Sequence, residues 1–332
     1  MLGAETLEPA PVPQSLLEGE RLKRELFASV VELATGIHDS VQGLASELRE
    51  LRAEVRGRAA SSGLVVAAGG TWPTAVPEEQ AITQDPGYLA FVDYAGSSAR
   101  RQYCSGLHVH VGVPTPEACM DALEAALPWL PTLLAVSANS PYVAGGETGL
   151  ASARAEILAL LPRSAGPPHF DSYADWERFA EQLVELGLAD TFTRIWWDIR
   201  PHPRWGTLEL RMPDQPTSVE LTVAFAALFQ ALVASVAGRD AVPADRALYA
   251  QNRWAALRFG PEAQLVHPAG RRLAGARELL AELVDLVAPA ASELGTADLL
   301  APLAEADQAG EQLKLGRESG LRSACERLVA RT

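Results

Sequence analysis

Cys104-Ser-Gly-Leu-His-Val-His-Val-Gly-Val-Pro114 alternates the apolar Leu107, Val109 and Val111 with His108 and His110. In an extended strand successive side chains point to opposite faces, so this spacing sets both imidazoles on one face and the apolar residues on the other. The valines and flanking glycines favour a strand; on a helix, residues two apart diverge and the histidines would not share a face. Such a strand closes a core on one side and presents titratable groups on the other. Three uses of that polar face are open. The histidines can be core residues satisfied by hydrogen bonds. They can be a metal pair of the kind found in zinc hydrolases, which requires further ligands that His38, His169, His202 and His267 do not offer by spacing. Or they can face a phosphate or carboxylate in a substrate pocket.

A second constellation follows the same logic. Arg194–Asp198 and Thr207–Arg211 read as two strands joined by the turn Pro201-His-Pro-Arg-Trp-Gly206, and the sequences Trp197-Asp-Ile-Arg-Pro201 and Gly206-Thr-Leu-Glu-Leu-Arg211 carry their charges. Alternation groups Asp198 with Arg200 on one strand, and Thr207, Glu209 and Arg211 on the next. Cross-strand ion pairs on a solvated face would show the same pattern and add little stability. Here Ile195, Trp196, Trp197, Ile199, Trp205, Leu208 and Leu210 surround the charges, which argues for burial on at least one face. Carboxylates beside arginines suit the activation of a carboxylate by ATP. The acids hold Mg²⁺ against the phosphates, and the guanidiniums bind phosphate oxygens and the substrate acid. Asn252, Arg253 and Arg258 would add to this, although alone they read as ordinary helix-surface residues. The chain has no Gly-x-x-x-x-Gly-Lys-Ser/Thr loop, no Gly-x-Gly-x-x-Gly after a strand and no Gly-x-Ser-x-Gly. A nucleotide site must therefore be built on a sheet from scattered side chains.

Elsewhere, periodicity predicts helices over 40–59, 88–101, 117–127, 173–188, 217–237, 243–257 and 271–288, with further helical pieces over 296–330, and a strand over 64–68. The turn-rich segment 140–149 reads as a long functional loop. Strands early and in the middle, with helices between and after, define an α+β chain with a mainly antiparallel sheet. Residues 1–20, rich in Pro and Glu, are expected as an irregular lead-in to a single domain over 21–332. The 332 residues are 48% hydrophobic and 21% charged, the balance of a globular protein. A net charge of −14 argues against nucleic acid as a partner. No apolar run is expected to span a membrane, and no signal peptide is evident. Cys104, Cys119 and Cys325 lack disulfide or zinc spacing, so reduced thiols and a cytoplasmic address are expected.

Several motifs occur together and in order: Gly106-Leu-His-Val-His-Val-Gly112, Ser137-Ala-Asn-Ser-Pro-Tyr142, Thr148-Gly-Leu-Ala-Ser-Ala-Arg154, the two strands carrying Asp198 to Arg211, and Asn252-Arg253. On these the chain resembles the bacterial carboxylate–amine ligases of the glutamate–cysteine ligase type 2 group, over residues 21–330. The resemblance implies a glutamine-synthetase-like curved, mainly antiparallel sheet with helices packed behind it. It also implies ATP and Mg²⁺ as cofactors, a γ-glutamyl phosphate, and attack by cysteine or another amine. By position, it makes Arg200, Glu209 and Arg211 catalytic, with Arg200 on the substrate carboxylate and Arg211 on phosphate. Glu209 becomes a metal ligand, joined by Glu25 and Glu32. His108, His110, Arg154, Asp198, Asn252 and Arg253 fall in ATP- or substrate-binding motifs. The implied partners are small molecules, without nucleic acid or membrane, and homo-oligomerisation is left open. The chain also departs from the family pattern. The Gly-x-Glu-x-Glu strand with which family members normally begin is expected to be lacking here, either because the true start lies upstream or because the chain is a diverged homologue that binds without turnover. Ala28 stands where an acid is common, Trp72 replaces a His, and Gly87 replaces an Arg. Two other expectations remain: a non-catalytic homologue that binds ATP or an amino acid, and a metal hydrolase using His108 and His110.

Overall fold

Three short strands form the centre of the fold: β1 (Val109–Gly112), β2 (Ile199–His202) and β3 (Thr207–Leu210). The computed structural model describes residues 1–17, 21–236 and 242–332. The strand order is β2-β3-β1, antiparallel throughout, and the register places Glu209 between Arg200 and His110, and Thr207 between His202 and Gly112. Because side chains alternate, Arg200, His202, Thr207, Glu209 and His110 share one face. Ile199, Leu208, Leu210 and Val109 occupy the other and are buried in the main core.

Six helices matter for that core: α1 (Val41–Ala60), α2 (Pro116–Ala126), α3 (Leu130–Ser137), α4 (Val219–Val236), α5 (Arg246–Phe259) and α6 (Ala276–Glu293). The apolar face of the sheet is covered by α2, which meets β2 and β3, and by α4, which meets β1 and is itself packed between α1, α2 and α6. Being enclosed on several sides, α4 is apolar nearly all round, with Phe225, Leu228, Phe229 and Leu232 fully buried. This corrects the expectation that no segment has the character of a membrane span. By length and composition both Pro116–Ser137 and Val219–Val236 qualify, but they are mostly buried inside this protein, as core helices are.

The sheet expected from the sequence is fragmented. Among the described residues it consists of the central three strands plus five two-stranded pairs, all antiparallel except Ser164–Ala165 with Trp196–Trp197. The helix predicted over 88–101 breaks at Gly96, whose φ of +57° interrupts it between Pro86–Ala95 and Ser97–Arg100. The helix predicted from 271 starts at Ala276, because Gln264–Val266 and Leu273–Gly275 pair as a hairpin first. The segment 140–149 is ordered as a tight hairpin, Tyr142–Val143 against Gly146–Glu147, with Ala144 and Gly145 both at positive φ in the two-residue turn. The lead-in is largely irregular, as expected, yet it belongs to the fold. Leu2 and Gly3 pair with Val65 and Leu64, and Leu2, Leu7, Val12 and Leu16 are buried. Its last three residues, and residue 237 of the predicted 217–237 helix, lie outside the described residues.

Candidate active site

Glu209 is the centre of the polar face. Its Oε2 accepts from Arg200 Nε at 3.0 Å and Nη2 at 2.7 Å, and its Oε1 accepts from Arg211 Nη1. His108 Nδ1 and His110 Nε2 stand 3.7 and 3.5 Å from Oε1. The remaining donor of Arg200, Nη1, is fixed by the carbonyls of Thr193 and Ile195 at 3.0 and 2.7 Å. Burial alone would raise the Glu209 carboxyl, but the Arg211 and Arg200 guanidiniums outweigh it and hold the group down at about 2. Burial pulls Arg200 to about 10, still protonated at neutral pH. One carboxylate therefore faces two cations, and the centre keeps a positive charge in excess. Arg211 Nε, also buried, has no acceptor among the described residues. An anion can use both the charge and the free donor. Desolvation by the surrounding wall, reinforced by Arg211, lowers His108 below the usual imidazole value although 42% of its side chain is open to solvent, and burial drives His110 to about 4. At neutral pH both rings are uncharged, and His110 Nδ1 is tied to Thr207 Oγ1 at 3.0 Å.

An acidic pair lies beside this centre. Glu32 sits in the Val31–Leu33 strand, opposite Lys23 of Leu22–Arg24, and Glu25 follows that strand directly. The Glu25 carboxyl is raised to about 7, first by burial and then by the hydrogen bond and charge of Glu32. Its bond from Leu26 N–H at 2.9 Å and the nearby Arg211 pull the other way. The Tyr88 hydroxyl, donating to Arg24 O at 2.9 Å, is pushed up by burial and by both glutamates. Two carboxylates pressed together tightly enough to retain a proton near neutrality are a donor set that a divalent cation relieves. Mg²⁺ is typically held by one or two carboxylates completed by substrate phosphates. The pair fits that ion. Among the described residues no group of three or more His, Cys, Asp or Glu converges as a ready-made metal cage. Glu209 is not folded into one cluster with Glu25 and Glu32, since its oxygens are occupied by Arg200 and Arg211, and among the described residues His108 and His110 belong to no group of three metal-ligating side chains.

Other residues singled out by the sequence stand behind the centre. Arg154 is buried and donates to Met212 O at 2.8 Å and Arg211 O at 3.0 Å, so it fixes the backbone that carries Arg211. Gly106 makes room for it: a Cβ there would lie 1.9 Å from Arg154 Nη2. Gly106→Ala is expected to displace that guanidinium and to destabilise the chain by about 1–3 kcal/mol, read as a lowered unfolding midpoint in urea. Alternation suggested that Asp198 accompanies Arg200, but the structure partners them differently. Arg200 is directly opposite Glu209, whereas Asp198 precedes β2 and accepts from Tyr249 Oη and Arg253 Nε, both at 2.6 Å. Asn252 exchanges two 2.7 Å bonds with the backbone of Val266, pinning the following hairpin to α5.

Sequence reading passed over three contributors. His202 and Trp205 extend the polar face at the β2–β3 turn, and Asp214 knots the Ser137–Arg154 segment by accepting from Asn139 N, Ser140 Oγ and Ser152 Oγ at 2.8, 2.6 and 2.8 Å. His202 was legible, since it lies two residues after Arg200 and so on the same face. Asp214 carried no local pattern, because its partners are about 60 to 75 residues distant.

Known proteins resemble this chain in sequence and in fold. The chain is 40% identical over 94% of its length to a protein of Rubrobacter xylanophilus provisionally named glutamate–cysteine ligase 2-3, covering 86% of that protein. It is 35% identical over 92% of its length to a protein of Solibacter usitatus provisionally named glutamate–cysteine ligase 2, covering 82% of it. The crystal structure of glutamate–cysteine ligase from Francisella tularensis in complex with AMP superposes with a TM-score of 0.69 at 14% identity, covering all of this chain and 85% of that one. The fold is thus that of the glutamate–cysteine ligases, an α+β arrangement of small antiparallel sheets and packed helices. The model of glutamate–cysteine ligase family 2 matches residues 4–315, and the chain belongs to that family, which is one of carboxylate–amine ligases.

Proposed function

We propose that the chain is an ATP-dependent ligase that joins the γ-carboxylate of glutamate to the amine of cysteine, or of a similar acceptor, in the cytoplasm. The observation that carries this reading is the Arg200–Glu209–Arg211 centre, positively charged in sum and with a free buried donor at Arg211, set beside the Glu25–Glu32 pair. The kinship with glutamate–cysteine ligases and the AMP bound in the Francisella enzyme support the choice of substrates and nucleotide.

In this mechanism a γ-carboxylate oxygen attacks the terminal phosphorus of ATP, the bond to the bridging oxygen breaks, and ADP leaves. The acceptor amine then attacks the acyl phosphate carbon, phosphate departs, and the amine proton passes to solvent. Arg211 steadies the charge on the transferring phosphoryl group and Arg200, itself locked by Glu209, fixes the polar wall against which the acid is oriented. His108 and His110, neutral, offer hydrogen bonds without adding charge. Glu25 and Glu32 would hold Mg²⁺, which when bound neutralises phosphate charge.

The test is ADP release by the purified chain. It is expected to require ATP, Mg²⁺, glutamate and an amine together, with the γ-glutamyl amide identified by mass spectrometry. Nucleotide binding without ADP release for any pair of amino acid and amine would instead establish a non-catalytic homologue.

A further inference from the structure

Apart from the Glu209 centre, a cavity of about 270 Å³ opens between α5, the short helix Ala153–Leu158 and the backbone at Ala165 and Gly166. Small-molecule sites run from roughly 300 to 1,000 Å³, so this volume suits a ligand the size of an amino acid. Packing accounts for most of the lining but leaves three features over. Trp254 keeps 52% of its surface exposed, an unusual position for so large an apolar ring. Arg253, only 6% exposed, uses Nε and Nη2 on Asp198 and on Ala155 O, and its Nη1 has no hydrogen-bond partner among the described residues. Glu156 is exposed and its carboxylate has no ion-pair partner among the described residues, although its charge acts on Arg253. The remaining cation of the lining, Arg246, is already paired with Glu124.

One open carboxylate and one open guanidinium N–H therefore line a single cavity without meeting, beside the apolar Trp254 and Leu257. We propose that the cavity binds a free α-amino acid as an effector, with its ammonium group on Glu156, its carboxylate on Arg253 Nη1 and an apolar side chain against Trp254. The other occupants of this size fit less well. A phosphate would face Glu156 with no unpaired cation to receive it, and a plain hydrocarbon would leave both polar groups unmet.

The walls of the cavity are joined to the reaction centre through Asp198. Tyr249 packs on Gly166 so closely that a Cβ there would lie 2.5 Å from its ring, and Tyr249 and Arg253 both donate to the Asp198 carboxylate. The Asp198 N–H donates to Ala165 O at 2.7 Å, and the Asp198 carbonyl accepts from Arg211 N–H at 2.8 Å. An occupant that shifts Arg253 or Tyr249 thus acts on the position of Arg211. That effect on the reaction rests on the ATP-dependent reading above; the binding itself does not.

Calorimetry on the full chain with L-leucine as the probe tests the site. One leucine per chain is expected to bind, with ATP, Mg²⁺ and glutamate present at saturation as well as without them. N-acetyl-L-leucine, which lacks the ammonium charge, and L-leucinamide, which lacks the carboxylate, are each expected to bind roughly 10- to 100-fold more weakly, as is L-leucine to Glu156→Gln. Both Glu156 and Trp254 are exposed, so Glu156→Gln and Trp254→Ala are expected to melt with the parent, and Trp254→Ala to weaken leucine as well. In the parent, saturating leucine is expected to change the KM for ATP by at least about 3-fold, a change absent from Glu156→Gln. No leucine binding, equal binding of N-acetyl-L-leucine, undiminished binding by Glu156→Gln, or loss of binding when ATP and glutamate are present would overturn the site. An unchanged KM would overturn its link to Arg211. A chain that binds leucine with this pattern and releases no ADP would uphold the site and overturn the ligase reading alone.

Discussion

Glu209→Gln is expected to lower the rate of ADP release by at least about 10²–10³-fold, the scale on which a single charge-stabilising group acts. The carboxylate holds Arg200 and Arg211 at fixed positions, and the neutral amide holds them less firmly while leaving two positive charges unbalanced. The same substitution acts on the fold. Arg200 is 3% exposed, and removing the one carboxylate that it binds among the described residues costs on the order of 3–5 kcal/mol, because the remaining charge stays buried. A melting temperature lowered by roughly 10 °C is the corresponding readout. A variant that keeps both its activity and its melting temperature would show that Glu209 is neither a catalytic nor a structural charge.

The pH dependence of stability follows with a definite sign. Glu209 is depressed from 4.5 to about 2 in the folded chain, so its stabilising effect is fully present above pH 4.5 and is lost as pH falls towards 2. The loss is on the order of 3 kcal/mol. In Glu209→Gln this share of the acid-side decline disappears, which urea titrations between pH 5 and 2 can measure.

Where sequence and structure agree, the reason is strand geometry. Two histidines separated by one valine, and a glutamate and an arginine separated by one leucine, share a face whatever the surrounding fold, so one side of the site was legible from spacing alone. The register was not. Nothing local says that Glu209 lies opposite Arg200 and not beside Asp198, since pairing is set by a turn and by helices far away in the chain. The breaks in the sheet were hidden for a related reason. Runs such as Leu64–Ala68 have the composition of a strand, but only Leu64 and Val65 find a partner, and that partner is the segment Leu2–Gly3 from the supposed lead-in. The apolar character of α4 has a similar tertiary cause, since a helix enclosed by the sheet and other helices is as apolar as one enclosed by lipid.

The motif positions on α5 expose the remaining ambiguity, because a residue can belong to a family pattern by touching substrate or by holding what touches it. Arg253 donates to both oxygens of Asp198, at 2.6 and 3.3 Å, and to Ala155 O at 3.1 Å, and both charged groups are buried. The backbone carbonyl of Asp198 in turn accepts from Arg211 N–H at 2.8 Å, so the pair supports the chain at Arg211, directly after β3, the residue proposed above to bind phosphate. Arg253→Met is expected to strand the Asp198 carboxylate with Tyr249 Oη as its one remaining side-chain partner and to cost about 3–5 kcal/mol, seen as a melting temperature lower by roughly 10 °C. The double variant Asp198→Asn/Arg253→Met removes both charges and is expected to recover much of that loss, since a neutral pair of similar volume has no ion to leave unsolvated. Substrate contact predicts a different pattern: an Arg253→Met chain with the parent's melting temperature, a raised KM for ATP or glutamate, and no recovery in the double variant. The buried bonds of Asp198 favour the first outcome, in which α5 acts on the reaction through the position of Arg211.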